Sequence, residues 1–369
     1  MDAFPQLAEP RCLATTLGSL PHLDVRAGTA LMFERTPEIP AWVQFPKRNL
    51  YENMMMQFTE GMPGLVQGDD RTYFDTAASG FTEELTEFYA RYLSVVEDDD
   101  PMALETFGIS SNYAGGFSDF IQGLPDHIAS HSVAMLKGQV TGPFTLGTNL
   151  LDQDRRAAYY DDQLRDVIVK TILLKARWQL AQMRSFDLPV TIFIDEPSLL
   201  GFGSQTFITV SRDDILGDLS EVTETIHVLG ALAGIHCEEN TDWSMLMESD
   251  LDILDFDAYD HLSSIALYPR ELCAFLDRGG WLGWGIVPTL SKEAAANETV
   301  QSLCLRFEAG IERLAQTGID RGLLLRRALL TPSCGAGGIL DESLAARVLQ
   351  ILQELSMTLR EKYALGIRD

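Results

Sequence analysis

The chain has 369 residues, of which 46% are hydrophobic and 22% are charged, so it is long enough to bury a sizeable core. Its formal net charge of −26 argues against a nucleic-acid partner, because a polyanion would be repelled. The five cysteines are widely spread, which is typical of a reducing compartment rather than of a disulfide framework.

The N-terminal part of the chain carries few clear strand signals. Its first residues lack the basic and apolar regions of a signal peptide, and no segment approaches the roughly 20 apolar residues of a membrane helix. Residues 23–135 contain much loop-like sequence and are expected to form the early units of the fold together with a lid-like insertion. We expect one domain over residues 1–369, cytoplasmic and not bound to a membrane.

From residue 137 onward, apolar runs alternate with helical stretches. The expected strands lie in segments 137–142, 189–198, 234–240, 252–259, 280–289 and 327–338. The clearest expected helices are 161–187, 293–317 and 341–362. Near-continuous apolar strands separated by helices are typical of a parallel sheet that is covered by helices.

Polar side chains fall where these strands end. Asp195, His236, Asp257 and Cys334 each stand at or just after the end of an expected strand. In a β/α barrel the strand ends converge on one rim, where active sites are built. An open doubly wound sheet should instead show a glycine-rich phosphate turn, and the sequence contains no GxGxxG after an early strand and no GxxxxGK[ST]. We therefore predict an α/β protein, a (β/α)8 TIM barrel with an elaborated N-terminal region.

One group of these residues has the chemistry of a metal site. His236, Glu238, Asp257 and Cys334 offer imidazole, carboxylate and thiolate ligands, and a catalytic zinc uses three of these while keeping one position open. Because side chains alternate along a strand, His236 and Glu238 point one way and Cys237 the other. Residue types alone favour buried structural roles, since no close C-x-x-C pair is present.

Two further segments are candidates for substrate binding. Asp195 and Glu196 follow a buried strand and suit binding of an amino group or acid–base work, although one of them alone would serve as a helix cap. The turn that contains Leu17, Gly18 and Ser19 has backbone amides suited to a carboxylate, although by itself it is an ordinary turn.

Six motifs together resemble the catalytic domain of cobalamin-independent methionine synthase, within the uroporphyrinogen decarboxylase-like barrel superfamily. In chain order they are TTLGSLPH (15–22), GQVTGPFTLG (138–147), FIDEPSL (193–199), GIHCEENTDW (234–243), DILDFDAY (252–259) and LLTPSCGAGG (329–338). The resemblance implies a zinc-dependent transfer of a methyl group to the thiol of homocysteine, which gives methionine. It implies the following roles: His236 and Cys334 as zinc ligands, Asp257 at the position of a ligand glutamate, Asp195 as the residue that binds the amino group, and Leu17, Gly18 and Ser19 as those that bind the carboxylate.

The chain departs from this family at three points. The family pattern H-x-C has its cysteine where this chain has Glu238, so either Glu238 or a displaced Cys237 completes the site, and strand alternation favours Glu238. A family histidine that protonates the departing folate falls in segment 285–291, which contains none. The large N-terminal domain of the folate-dependent enzymes has no counterpart in the sequence.

The last two departures indicate methylcobalamin, free or on a corrinoid protein, rather than folate as the methyl donor, because cobalt(I) leaves without protonation. The expected partners are therefore a small-molecule thiol and a corrinoid. Three alternatives remain: a coenzyme M-type methyltransferase, a lyase like uroporphyrinogen decarboxylase, and a non-catalytic corrinoid-binding barrel. The lyase is disfavoured by only 28 lysine and arginine residues, because its substrate carries many carboxylates.

Overall fold

The computed structural model describes residues 9–68, 71–238 and 241–366. A short antiparallel pair, Leu65–Gln67 (β1) and Thr72–Phe74 (β2), precedes a six-stranded parallel sheet. The six strands lie side by side in sequence order: Leu136–Thr141 (β3), Val190–Asp195 (β4), Leu232–Cys237 (β5), Ile253–Phe256 (β6), Trp281–Val287 (β7) and Ala328–Pro332 (β8). Because every neighbouring pair is parallel, all six carboxyl ends lie along one edge.

Helices connect and cover these strands. Among the described residues the α-helices are Val25–Arg35 (α1), Met54–Gln57 (α2), Phe81–Glu97 (α3), Pro101–Glu105 (α4), Gly115–Ser130 (α5), Pro143–Asn149 (α6), Asp162–Met183 (α7), Arg212–Val228 (α8), Trp243–Glu248 (α9), Leu262–Ile265 (α10), Pro269–Asp277 (α11), Lys292–Asn297 (α12), Val300–Ala315 (α13), Arg321–Arg326 (α14) and Glu342–Lys362 (α15). Short 3-10 helices lie at Leu50–Glu52, Ala158–Tyr160, Arg184–Phe186, Pro197–Gly201 and Gln205–Phe207. None of the helices in the described ranges is both long and apolar enough to cross a bilayer.

The two longest of the described helices, α7 and α15, each begin after an aspartate that caps them. The side chain of Asp161 accepts the backbone N–H groups of Gln163 and Leu164 at the start of α7, and Asp341 accepts that of Leu344 at the start of α15. These bonds satisfy donors that a helix leaves unpaired in its first turn. α7 then packs against β3 and α15 against β8, so both helices cover the outer face of the sheet.

The two faces of the sheet have different surroundings. Val140, Ile192 and Ile235 point outward into the large core under the helices. The inner face carries a smaller apolar cluster that includes Phe193 and Ile253. Because side chains alternate along a strand, the inner face continues towards the carboxyl ends with polar residues, namely Asp195, His236, Asp255 and Thr331. On the inner face of the sheet, these polar residues therefore lie nearer the carboxyl ends of the strands than the apolar cluster does.

The expected (β/α)8 barrel is wrong: within the described residues the parallel sheet has six strands and not eight. The segments around Ala14 and Ala41, which would have supplied the first two strands, each make only a single parallel bridge to an edge strand. Arg11 and Cys12 have φ angles of 48° and 60°, which interrupt an extended backbone. Pro40 has no N–H to donate to a ladder. Both segments consequently remain irregular, and the sheet is a parallel half-barrel.

The six strands expected from residue 137 onward are confirmed, because each expected segment overlaps one strand of the sheet. The expected helices 161–187 and 341–362 correspond to α7 and α15. The expected helix 293–317 is divided into α12 and α13, and Thr299 caps the second of them. The described part of residues 25–130 contains five α-helices, one 3-10 helix and the β1–β2 pair ahead of the parallel sheet.

Gly142, between β3 and α6, leaves space for the buried carboxyl group of Glu196. That group accepts the backbone N–H groups of Phe144 at 3.0 Å and Thr145 at 2.7 Å. A Cβ atom at position 142 would lie 2.1 Å from Glu196 Oε1. We expect Gly142→Ala to lower the free energy of unfolding by about 1–3 kcal/mol, measured by urea denaturation. In the control Gly217→Ala, within α8, the added Cβ meets nothing within 4 Å, and stability should rise by about 0.5–1 kcal/mol.

Candidate metal centre and adjoining cavity

Three side chains of different chemistry meet at the carboxyl edge of the sheet. His236 lies near the end of β5, Glu238 just after that strand, and Cys334 two residues after β8. One potential ligand atom from each of them lies within 4.8 Å of the others. Parallel pairing of β5 through β8 brings these distant parts of the chain to the same edge. This is the group that strand alternation favours in the sequence.

His236 is held in one orientation by a buried carboxylate. Its Nδ1 lies 2.7 Å from Oδ1 of Asp255, which pairs with it across β5 and β6, and Thr331 Oγ1 donates to Oδ2 of the same carboxylate at 2.7 Å. Burial opposes the charged imidazole, but the hydrogen bond and charge of Asp255 raise the pKa of His236. Gly283 provides the space, because a Cβ there would lie 2.1 Å from Asp255 Oδ2. His236 Nε2 is buried and has no hydrogen-bond partner within the described residues.

Cys334 is fixed by its backbone. Thr289 Oγ1 accepts the N–H of Cys334 and donates to its carbonyl, both at 3.0 Å, while Ser333 Oγ accepts the N–H of Thr289 at 3.1 Å. The sulfur contacts Oε1 of Glu238. Burial, followed by the charge of Glu238, raises the pKa of the Cys334 thiol well above its usual value. Without a cation, this sulfur therefore stays protonated at neutral pH.

The structure does not bring Asp257 into this group. Asp257 follows β6, and its Oδ1 accepts the backbone N–H groups of Tyr259 at 2.8 Å and Asp260 at 3.0 Å. Its short side chain therefore closes a local turn, and burial raises its pKa to about 6. Cys237, the alternative to Glu238, is fully buried and packs into the large core on the other face of β5.

Two carboxylates line the cavity beside the three-residue group. Asp195, at the end of β4, is 7% exposed, and its Oδ1 has no hydrogen-bond partner in the part of the chain that the structure describes. Burial raises the pKa of Asp195 to about 6, against the lowering effect of Lys137. Glu52, which the sequence reasoning missed, is 1% exposed and pairs with Arg48 through Oε1 while its Oε2 is unpartnered. A single glutamate in a short polar segment carries no sequence signal of its burial.

The predicted turn at residues 17–19 forms another wall of the cavity, through Leu17 and Ser19. Gly18 has a φ angle of 95°, and a Cβ there would lie 2.8 Å from the side chain of Gln139. Its N–H donates to Thr16 Oγ1 at 3.3 Å, so that amide is not directed into the cavity. The Ser19 hydroxyl accepts the N–H of Gly337 at 3.2 Å and retains a proton to donate.

The cavity has a volume of about 300 Å³. Its titratable lining residues are Glu52, Asp195, His236, Glu238 and Cys334. No lysine or arginine is found among the described residues that line it. Such a lining suits a ligand with a cationic group and excludes one that carries many carboxylates.

The three-residue group fits a zinc ion. Imidazole, carboxylate and thiolate are zinc ligands, and three protein ligands with an open position are typical of catalytic zinc. The buried Nε2 of His236 lacks a partner, while Asp255 holds the opposite nitrogen in the way that carboxylates support metal-bound histidines. All three side chains line the cavity, so a molecule bound there would lie beside them.

Comparison with known proteins returns no matching family model and no similar curated protein. Among solved structures, the chain is similar to one of the tandem GH20 catalytic modules of the pneumococcal exo-beta-D-N-acetylglucosaminidase. The two share 10% sequence identity with a TM-score of 0.40, over 96% of this chain and 87% of that one. A likeness this distant carries no argument about the reaction, so only the site residues bear on function.

Proposed function

We propose that the chain is a zinc-dependent S-methyltransferase whose acceptor is a small aminothiol, with homocysteine as the favoured acceptor and methionine as the product. The observation that carries the proposal is the convergence of His236, Glu238 and Cys334 beside a cavity with an unpaired carboxylate oxygen on Asp195. The reaction belongs in the cytoplasm, where acceptor thiols stay reduced.

Asp195 and Glu52 support an acceptor that carries an ammonium group. Both residues line the cavity, and each has a buried carboxylate oxygen without a partner among the described residues, whereas an ammonium group has three donors to offer. Ser19 offers a hydroxyl to the acceptor's single carboxylate. A sulfonate thiol of the coenzyme M type lacks the ammonium, and a porphyrinogen has too many carboxylates for a cavity without basic side chains. Both alternatives are disfavoured for these reasons.

A zinc ion held by His236, Glu238 and Cys334 would lower the pKa of the acceptor thiol, which makes its thiolate available at neutral pH. Asp255 keeps Nε2 of His236 directed at the metal position, and Asp195 orients the acceptor through its ammonium. As the new sulfur–methyl bond forms, the bond between the methyl group and its donor breaks, and the donor keeps the electron pair.

The wall that the segment 285–291 contributes to the cavity favours a corrinoid as donor. Thr289 and Leu290 line the cavity there, and neither is an acid that could protonate a departing folate nitrogen. Cobalt(I) leaves methylcobalamin with the electron pair and needs no proton. We therefore propose methylcobalamin, free or carried by a corrinoid protein, as the methyl donor.

Turnover with two donors tests this function. Zinc-loaded protein with homocysteine and methylcobalamin should release methionine and cobalamin in equal amounts, and methyltetrahydrofolate should support less than about 1% of that rate, which corresponds to a barrier about 2.7 kcal/mol higher. Methionine formation from methyltetrahydrofolate alone would overturn the choice of donor. No methionine from either donor, in protein with a full complement of zinc, would overturn the methyltransferase proposal.

A further inference from the structure

Lys137 is a buried lysine on the inner face of the sheet, beside the apolar cluster that contains Phe193. It lies on β3 and is 0% exposed, and its Nζ has no hydrogen-bond partner among the described residues. The ammonium lies 4.2 Å from the centroid of the Phe193 ring, on the neighbouring strand β4. Phe193 and Asp195 are two residues apart on that strand, so they share the inner face with Lys137.

A buried ammonium without hydrogen bonds is costly, which calls for a compensating charge. Burial lowers the pKa of Lys137 to about 8, and the carboxylates of Asp195 and then Asp255 are the groups that oppose this effect. In turn, the charge of Lys137 lowers the pKa of Asp195 and so favours its carboxylate form, with a larger effect than that of His236. Lys137 therefore shares the inner face of the sheet with two carboxylates, that of Asp195, which lines the cavity, and that of Asp255.

A second buried lysine, Lys175, has a structural role and serves as a comparison. Lys175, on α7, is also 0% exposed, but its Nζ donates to the backbone carbonyls of Phe107 and Gly108, both at 3.4 Å. It lies under the outer helices, away from the inner face of the sheet. Lys137 makes no such bonds, so helix or loop anchoring does not account for it.

We propose that Lys137 is a positioning residue of the acceptor pocket: its ammonium balances the buried carboxylate of Asp195 and holds it in place to receive the acceptor's ammonium group. The attraction between Lys137 and Asp195 acts across a water-poor interior, where Coulomb interactions are strong. This inference rests on the proposed function, because it assigns a partner to the acceptor's amino group.

The test compares two thiols that differ only in that amino group, homocysteine and 4-mercaptobutanoate. Their dissociation constants are measured by calorimetry on zinc-loaded protein, for the wild type and for Lys137→Met, Asp195→Asn and Lys175→Met. We expect Lys137→Met to weaken the binding of homocysteine at least tenfold and that of 4-mercaptobutanoate less than threefold. Asp195→Asn should show the same selectivity between the two thiols. Lys175→Met should leave both values within twofold of the wild type.

Homocysteine binding to Lys137→Met that is unchanged or tighter would overturn the inference, and so would an equal loss for both thiols. Failure of Lys137→Met to fold while Lys175→Met folds would also overturn it, because the ammonium would then be part of the core. Failure of the proposed function looks different: the wild-type protein itself would hold no zinc or bind neither thiol.

Discussion

Replacing Cys334 by alanine is expected to abolish metal binding. Protein purified without added metal should contain about one zinc per chain, and Cys334→Ala should contain less than about a tenth of that amount. The physical reason is that only His236 and Glu238 would remain of the three side chains that meet at the sheet edge, and two ligands do not hold zinc through purification. Elemental analysis by mass spectrometry measures the effect directly.

Cys237→Ala is the matched control for that experiment. Cys237 is adjacent to His236 in the sequence, but it is fully buried in the large core on the opposite face of β5. We expect this variant to keep its zinc and to lose about 1 kcal/mol of stability from the lost packing. Zinc that survives Cys334→Ala and disappears in Cys237→Ala would show that the cysteine on the core side is the ligand.

Asp255→Asn is expected to weaken zinc binding 10- to 100-fold without unfolding the protein. The amide keeps the size of the side chain but removes the charge that fixes the proton on Nδ1 of His236, and partners of this kind typically contribute that much to metal affinity. Competition with a chromogenic chelator gives the affinity, and circular dichroism shows whether the fold is retained. A folded variant with wild-type affinity would rule out this supporting role.

Two substitutions of residues that contact Asp255 should weaken zinc binding to different degrees. Thr331→Val removes one hydrogen bond to Asp255 and should weaken zinc about 2- to 5-fold, the equivalent of about 0.5–1 kcal/mol. Gly283→Ala places a methyl group 2.1 Å from Asp255 Oδ2 and should approach the effect of Asp255→Asn, because the carboxylate has to move. The order of the three variants distinguishes support of His236 from a general loss of stability.

The regular part of the fold was predictable because its signals are local. The six strands of the sheet are apolar runs of ordinary length, and α7 and α15 are long stretches with polar caps. The two missing strands were expected because a (β/α)8 barrel has eight, but a strand also needs an uninterrupted extended backbone. Positive φ angles at Arg11 and Cys12 interrupt the first segment, and the proline at position 40 removes a hydrogen-bond donor from the second.

The part of the site that depends on strand alternation and strand ends was predictable. His236, Glu238 and Asp195 follow from alternation and from the shared edge of parallel strand ends. Asp257 was predicted as a fourth ligand but lies outside the group, because its short side chain accepts the backbone N–H groups two and three residues further along the chain. The role of Lys137 depends on register across β3 and β4, information that a single sequence does not contain.

The spacing of the three ligand residues along the chain has a consequence for maturation. His236 and Glu238 come from β5, whereas Cys334 follows β8, the last strand of the sheet to be synthesised. With zinc bound as proposed, a nascent chain could not complete the site on the ribosome before β6, β7 and β8 have emerged and paired. Metal binding would then be a late step in folding, and loss of the ion to a chelator would follow opening of the β5–β8 ladder rather than fluctuation of a single loop.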